Sequence, residues 1–261
     1  MQNRIPLVGI LIVIVAALTG YTVCRRPNAG ITSGPAGVDA TGPVDPAVQG
    51  VVDELIARWE EHDRVYVVID TEIPNAAGKP GKTWGDIQYS YVKTDGAPLV
   101  RIWVFNNLSF EIEDGKRLET AEVLTTVHDG EFLWSTVQQH KLYTATKAYY
   151  DPDRLLQVGG SDLFRQLLTD NTLKLLPGES LDEKDMYVFS VTPKNGTWTS
   201  TYWFDKETGI QTKIIEMDES GEEQFMFKVL EVDLAPDFPD EKFTLPIHER
   251  YEFTDETKSV P

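Results

Sequence analysis

Residues 186–232 have the sequence MYVFSVTPKNGTWTSTYWFDKETGIQTKIIEMDESGEEQFMFKVLEV, and this stretch decides the fold. Apolar and polar side chains alternate in four of its segments, residues 186–192, 197–204, 211–217 and 223–232. A period of two residues is typical of half-buried β-strands. Two turn-forming triplets, Lys194-Asn195-Gly196 and Glu219-Ser220-Gly221, separate neighbouring strands. The stretch therefore predicts an antiparallel meander of four strands.

The same alternation recurs towards the N-terminus. The further predicted strands are residues 64–73, 86–92, 99–105, 122–127, 131–137, 141–146 and 172–176. Turn-forming pairs lie between several of them, namely Asp95-Gly96, Asp114-Gly115 and Asp129-Gly130. About eleven short strands at fairly even spacing predict a curled sheet or an incomplete barrel. The predicted fold class is therefore α+β and mainly antiparallel β.

Two segments have helical periodicity instead. Asp45 and Pro46 are typical of a helix start, with an acidic N-cap followed by proline in the first turn. Apolar residues then recur every three or four positions as far as Trp59, so one face of this helix is predicted to be buried. The second helical segment, residues 151–170, contains a Gly159-Gly160 break, after which Ser161 is the predicted cap. We expect the helices on one side of the sheet or across its mouth.

The N-terminal segment, residues 1–26, is predicted to be a signal anchor or a signal peptide. Residues 5–24 contain no charged side chain, and about 20 helical residues are enough to cross a bilayer. Three interpretations stay open: an uncleaved single transmembrane anchor, a secretory signal cleaved near Ala16, Ala17 and Gly20, or a lipoprotein acylated on Cys24. Each of them predicts that the domain is exported across the membrane.

The rest of the chain divides by composition into three parts. Residues 27–45 are rich in glycine and proline and predict a linker, residues 46–250 form the domain, and residues 251–261 are a C-terminal tail. The chain has 24 Lys+Arg and 42 Asp+Glu, a net charge of −18. A chain with this acidic excess lacks the basic surface that nucleic acids require. Anionic lipid headgroups also repel it. The single cysteine excludes an intramolecular disulfide and a multi-thiolate metal site.

The sequence contains no recognisable catalytic motif. It lacks the Gly-x-Ser-x-Gly nucleophile elbow and the glycine-rich phosphate loops. The histidines are scattered, and His128, next to a predicted turn, is interpreted as a solvated loop residue. Acidic pairs such as Asp182-Glu183 and Glu222-Glu223 are typical of a solvated acidic face. We therefore predict no catalytic residue, no metal and no cofactor, with a carboxylate-pair hydrolase as the enzymatic alternative.

Aromatic side chains are concentrated on single faces of several predicted strands. Residues two positions apart on a strand, such as Phe225 and Phe227, point to the same side. A packed core is the simplest interpretation of any one of them. A curved sheet under two short helices, however, encloses more concave surface than the helices obviously fill, which favours an apolar ligand cavity. The predicted cavity residues are Trp103, Phe105, Phe132, Trp134, Phe164, Leu167, Phe189, Phe204, Phe225 and Phe227.

Several stretches resemble the LolA/LolB superfamily of periplasmic lipoprotein carriers and their membrane-anchored relatives. The matching stretches are residues 51–59, 127–134, 142–144, 202–210, 215–221 and 237–246, in that order along the chain. The most specific are IEMDESG at 215–221 and DFPDEKFTLP at 237–246. The resemblance implies a half-open antiparallel barrel with helices across its mouth. It also implies a hydrophobic cavity that shields the acyl chains of lipoproteins in transit.

Three functional hypotheses follow from the residues and the resemblance. The first is a membrane-tethered, non-enzymatic binder or carrier of lipids or acylated lipoproteins, with acyl chains as its ligands. The second is an envelope-stress sensor or regulator with the same fold, in which ligand occupancy changes a contact with an envelope protein. The third is the carboxylate-dependent hydrolase. None of them has a nucleic acid as partner.

Overall fold

The structure is a computed structural model. It describes residues 44–74, 82–93, 100–111, 117–129, 131–139, 142–149, 157–194, 196, 198–245 and 247–258, and in parts of the strands between residues 73 and 142 it describes the backbone alone. The predicted membrane segment, residues 5–24, lies outside these ranges, as does most of the predicted linker. Within the described residues, no helix combines the length and the apolar character needed to cross a membrane.

Twelve strands form one sheet among the described residues. They are β1 (Arg64–Pro74), β2 (Lys82–Lys93), β3 (Val100–Glu111), β4 (Arg117–His128), β5 (Phe132–Gln139), β6 (Leu142–Tyr149), β7 (Asn171–Leu181), β8 (Lys184–Pro193), β9 (Thr199–Asp205), β10 (Gln211–Met217), β11 (Glu223–Asp233) and β12 (Glu252–Asp255). All eleven predicted strands are present, several of them longer than predicted. The twelfth, β12, was not predicted from the sequence.

The strand order is β12-β6-β5-β4-β3-β2-β1-β11-β10-β9-β8-β7. Two antiparallel meanders, β1 to β6 and β7 to β11, are joined where β1 pairs with β11. The predicted meander of residues 186–232 is therefore confirmed as β8 to β11. The terminal strands β12 and β7 do not pair with each other, so the sheet is half-open. The predicted α+β, mainly antiparallel fold class is confirmed.

Two α-helices of the described ranges cover one face of this sheet. Helix α1 (Pro46–Glu60) begins as predicted, because the Asp45 side chain accepts a hydrogen bond from the Ala47 N–H at 2.8 Å. Helix α2 (Gly160–Asp170) begins two residues earlier than a cap at Ser161 would place it. Gly159 is its N-cap and no side chain caps it, so the prediction that Ser161 caps this helix is wrong.

The sheet face below the helices is called the inner face. Its buried residues include Val65, Val67 and Ile69 of β1, which alternate with outward residues as a strand with one buried face requires. They belong to the same apolar core as residues of both helices. The opposite, outer face has its own smaller core, in which Val92 and Val127 pack with Phe243 from a 3₁₀ turn (Asp240–Phe243). Burial on both faces explains why long stretches of the strands are apolar.

The turns at the strand ends depend on specific side chains. Asp218 closes the β10–β11 hairpin by accepting hydrogen bonds from the Ser220 and Glu222 N–H groups, and Gly221 takes a φ of +81°. The β7–β8 turn is tighter, because Asp182 and Glu183 adopt φ values of +52° and +66°. Both residues are exposed, which confirms the prediction that this acidic pair is solvated.

Gly209 controls how closely α1 approaches the sheet. It lies in the β9–β10 turn, inside the stretch 202–210 of the family resemblance, and has a φ of +70°. A Cβ at this position would lie 2.3 Å from the Leu55 carbonyl oxygen and 2.9 Å from the Trp59 nitrogen, both of them backbone atoms of α1. Only glycine combines this backbone conformation with such a close contact.

Candidate functional site

The inner face has an apolar floor that continues across several strands. Phe189 of β8, Tyr202 of β9, Ile214 of β10 and Phe227 of β11 are paired in register, and the row ends at Thr71 of β1. All five residues are buried. Cross-strand neighbours in such a row contact one another directly, so the floor is a continuous surface rather than a set of separate side chains.

Helix α2 covers the floor with aromatic contacts. The Phe164 ring centroid lies 5.0 Å from that of Phe204 and 6.5 Å from that of Phe189. The Phe189 and Phe204 centroids are 5.8 Å apart, so the three rings form a closed cluster. Leu167, one turn along α2, is buried beside them. In this structure α2 therefore occupies the part of the inner face where the sequence predicts a ligand.

Helix α1 covers the neighbouring part of the floor. Its buried residues Val52, Leu55 and Trp59 belong to the same core, and the Trp59 ring lies 5.1 Å from that of Tyr91 on β2. Trp59 also contacts the start of α2, because a Cβ at Gly159 would lie 2.5 Å from its ring. The two helices are thus fitted to each other as well as to the sheet.

Polar contacts at the two ends of β8 also connect the helices to the sheet. Tyr187 on β8 donates a hydrogen bond to Glu54 of α1 at 2.9 Å, and this bond raises the pKa of the Tyr187 hydroxyl. At the other end of β8, Lys194 donates to the last carbonyls of α2, those of Leu168 and Thr169, at 3.0 and 2.8 Å. These contacts are exposed to solvent, so each adds little to the attachment of the helices compared with apolar burial.

Six of the ten predicted cavity residues lie together in this inner-face core. They are Phe164, Leu167, Phe189, Phe204, Phe225 and Phe227, and all six are buried. They are packed in this structure, and their role in ligand binding stays a prediction. Trp103 and Phe105 pair through their backbones with β2 and β4, but their side chains lie outside the described part of the chain.

Phe132 and Trp134 do not join these six residues. Leu133 between them belongs to the inner-face core, so alternation along β5 sends both aromatic rings to the outer face. There the Lys147 ammonium lies 3.5 Å from the Phe132 centroid and 5.0 Å from the Trp134 centroid. The sequence shows that the two aromatics share a face but not which face, because the neighbouring leucine is equally suited to burial.

An exposed aromatic patch surrounds these two residues on the outer face. Trp134 stacks on Phe253 of β12 at a centroid distance of 6.3 Å, and Phe132 contacts Tyr149 at 5.9 Å. Tyr149 is 58% exposed and Phe253 is 47% exposed. We call these four residues the outer aromatic patch. It was not predicted as a unit, because Phe253 reaches Trp134 only when the unpredicted strand β12 pairs with β6.

His128 is also placed differently from the prediction. It ends β4, pairs in register with Leu133 and is only 3% exposed, so its interpretation as a solvated loop residue is wrong. The turn begins one residue later, where Asp129 accepts hydrogen bonds from the Glu131 and Phe132 N–H groups and from the Trp134 indole. These bonds lower the pKa of the Asp129 carboxyl, against the opposite effect of its partial burial.

The inner face also carries a carboxyl group. Glu216 of β10 lies between Phe225 of β11 and Ser200 of β9 in the strand ladder. Its Oε1 atom is buried without a hydrogen-bond partner, and the same holds for the Ser200 hydroxyl. Burial raises the pKa of Glu216 to about 7, and the charge of Glu216 in turn adds to the raised pKa of the buried Tyr202. The sequence places Glu216 in a strand but does not show this burial.

A polar cavity lies at the edge of the domain. It has a volume of about 500 Å³ and is lined by residues 61–64, which join α1 to β1, and by residues 234–237, which follow β11. The His62 Nε2 atom is buried there without a hydrogen-bond partner. Within the described ranges, no three histidine, cysteine or acidic side chains come together in a metal-binding arrangement.

Comparisons with known proteins find similarity only at the level of structure. No protein-family model and no curated protein sequence matches the chain. The chain is similar to a crystal structure of MucB, with a TM-score of 0.47 and 14% identity over 78% of this chain and 65% of that chain. It therefore spans less than two thirds of that MucB chain.

Two further solved structures show the same low level of similarity. One is an uncharacterized conserved protein from Thermus thermophilus, with a TM-score of 0.48 and 10% identity over 80% of this chain and 99% of that chain. The other is a LolA superfamily protein from Nitrosomonas europaea, with a TM-score of 0.29 and 16% identity over 76% and 97% of the two chains. The matches thus include the superfamily that the sequence resembles. At these values, the fold assignment rests on the sheet topology described above.

Proposed function

We propose that this protein binds acyl chains of lipids or lipoproteins on the inner face of its sheet. The observation that supports the proposal most directly is the continuous apolar floor of an unclosed sheet, covered by two helices that pack on it through apolar side chains. Residues 5–24 are proposed to tether the protein to the membrane, with the acidic domain on the periplasmic side of a bacterial envelope. The protein acts as a binder or carrier rather than as an enzyme.

Ligand entry on this proposal requires α2 to move. An acyl chain of about 12 methylene groups gains roughly 10 kcal/mol on full burial, at about 0.8 kcal/mol per group. Exposing Leu163, Phe164 and Leu167, the three large apolar side chains that α2 buries, costs roughly 5–9 kcal/mol in total on the same scale. The ligand can therefore replace the contacts of α2 with the floor, and on this proposal α2 leaves the floor when the ligand binds.

The proposal is tested with a photoreactive fatty acid in cells that express the full chain. After irradiation, mass spectrometry maps which peptides carry the acyl label. We expect label on β9 to β11 and on α2, and we expect excess unlabelled fatty acid to remove it. The outer aromatic patch serves as an internal control, because it is apolar but exposed. Label confined to residues 5–24 or to that patch would contradict the proposal.

A second candidate function, a regulator that contacts an envelope protein, is supported by the outer aromatic patch. Exposed aromatic clusters of this kind are typical of protein interaction sites. The test places a photocrosslinking amino acid at Tyr149 in the full chain, with the equally exposed Leu230 on β11 as the control position. A single crosslinked partner from Tyr149 and none from Leu230 is the expected result. Identical products from both positions would count against a specific surface.

A further inference from the structure

Two polar side chains interrupt the apolar inner face at one point. Ser200 of β9 and Glu216 of β10 are directly paired in the strand ladder. Paired residues on the same face of neighbouring strands have their Cβ atoms about 5 Å apart. Ser200 is fully buried, and Glu216 is half-buried. The pair thus extends from the core towards solvent.

Neither of these side chains is satisfied by the protein. The Ser200 Oγ atom and the Glu216 Oε1 atom are both buried, and neither has a hydrogen-bond partner. They do not bond to each other, although they are neighbours. Buried polar atoms in folded proteins are nearly always hydrogen-bonded to protein, ordered water or ligand, so this pair is suited to bind a water molecule or a polar group of a ligand. A hydroxyl group satisfies both, because it can donate to the carboxylate and accept from the serine hydroxyl.

Apolar side chains flank this polar pair, as expected of a site that binds the headgroup of an acyl ligand. Phe225 flanks Glu216 on β11, Val191 flanks Ser200 on β8, and Ile214 continues the apolar floor towards the middle of the sheet. The raised pKa of Glu216 has burial as its cause, which agrees with a position away from bulk water. An acyl chain on the floor would therefore end beside this pair, with its first polar group at the half-buried carboxyl.

We propose that Ser200 and Glu216 form a hydrogen-bonding site for the hydroxyl group of an acylated ligand of the monoacylglycerol type. This inference rests on the proposed acyl-binding function and adds a preference among ligands. A fatty acid carries a carboxylate at the same place, and two carboxylates in a poorly solvated site repel each other. The site therefore selects neutral, hydroxyl-bearing acyl compounds over free fatty acids of the same chain length.

The test compares 1-monopalmitoylglycerol with palmitate as competitors of the photoreactive fatty acid. The full chain is solubilised in a steroid-based detergent at pH 8, so that the detergent itself contributes no acyl chain. We expect monopalmitoylglycerol to displace the label at a concentration about tenfold lower than palmitate, a ratio that corresponds to one charge-assisted hydrogen bond. Glu216→Gln removes the repulsion and should bring the two concentrations close together. Ser200→Ala should weaken monopalmitoylglycerol alone, by about threefold to tenfold.

Glu223→Gln is the matched control, because Glu223 begins the neighbouring strand β11 but is exposed. Circular dichroism checks that each variant is folded. If Ser200→Ala does not fold, the displacement ratio of Glu216→Gln alone tests the inference. Equal displacement by the two lipids in the native protein would overturn the inference. A ratio of palmitate to monopalmitoylglycerol concentrations that Glu216→Gln leaves unchanged would also overturn it. In either case the pair would bind water only. Absence of any acyl label on the native inner face would instead refute the proposed function itself.

Discussion

The contact between Gly209 and helix α1 allows a quantitative test of how the helix is attached to the sheet. Gly209→Ala places a side chain on a residue with a φ of +70°, which costs an L-residue about 1–2 kcal/mol. The new Cβ would also lie 2.3 Å from the Leu55 carbonyl oxygen. The obstacle is helix backbone, which cannot rotate away as a side chain can, and overpacking of this kind costs a further 1–3 kcal/mol or so. The expected loss of unfolding free energy is therefore about 2–5 kcal/mol.

Two other glycines separate the two contributions. Gly221 has a φ of +81° but no atom within 4 Å of an added Cβ, so Gly221→Ala should cost only the backbone strain of about 1–2 kcal/mol. Gly50 lies in α1, is exposed and has no neighbour within 4 Å, so Gly50→Ala should stabilise the protein by about 0.5–1 kcal/mol.

Urea unfolding at 25 °C, followed by tryptophan fluorescence and circular dichroism, measures all three variants under the same conditions. The order of stability should be Gly50→Ala, native, Gly221→Ala and Gly209→Ala, from highest to lowest. Equal losses for Gly209→Ala and Gly221→Ala would refute the reasoning, because the close approach of α1 would then contribute nothing. The slope of free energy against urea should stay constant, since none of these changes alters the surface exposed on unfolding.

Three further predictions concern single side chains. Glu183→Gly should stabilise the protein by about 1 kcal/mol in the same assay, because Glu183 is exposed and has a φ of +66°; a destabilised variant would contradict the assigned turn geometry. Glu216 has a pKa raised from 4.5 to about 7, so the folded state holds its proton more tightly than the unfolded state does. The native protein should therefore lose about 3 kcal/mol relative to Glu216→Gln as the pH rises from 4.5 to 8, and a pH-independent difference would exclude the burial of this carboxyl. Asp129→Ala should cost about 1–2 kcal/mol and shift the fluorescence of Trp134, since three hydrogen bonds are lost; an unchanged spectrum would show that the indole bond is absent in solution.

Most of the fold could be predicted from the sequence because its signals are local. Alternation of apolar residues and turn-forming pairs act over a few residues, and they predict β8 to β11 and the start of α1 correctly. Strand β12 escaped prediction because four residues, Glu252–Asp255, carry too short a pattern, and its partner β6 lies about 100 residues away. Ser161 was predicted as a helix cap from its residue type alone, whereas the backbone at Gly159 determines where the helix begins.

The candidate site was only partly predictable, for a different reason. Each strand shows which of its residues share a face, but burial of a whole face depends on what packs against it. Phe225 and Phe227 were predicted to face the cavity and lie in the inner-face core. Phe132 and Trp134 fit the same pattern but lie on the outer face of the sheet. The opposite face of β5, which contains Leu133, is the one turned towards the helices.

The sequence by itself thus determined the number of strands to within one, the meander of residues 186–232, the acidic surface and the chemical character of the buried faces. The tertiary structure alone decided that β1 joins β11, that α2 lies on the aromatic floor, and that Ser200 and Glu216 meet in a buried position. The physical reason is that periodicity and turn preference are properties of neighbouring residues. The pairing of distant strands depends instead on which arrangement of the whole chain buries the most apolar surface. A single carboxyl can be carried into an apolar face by that arrangement, and no local pattern reveals it.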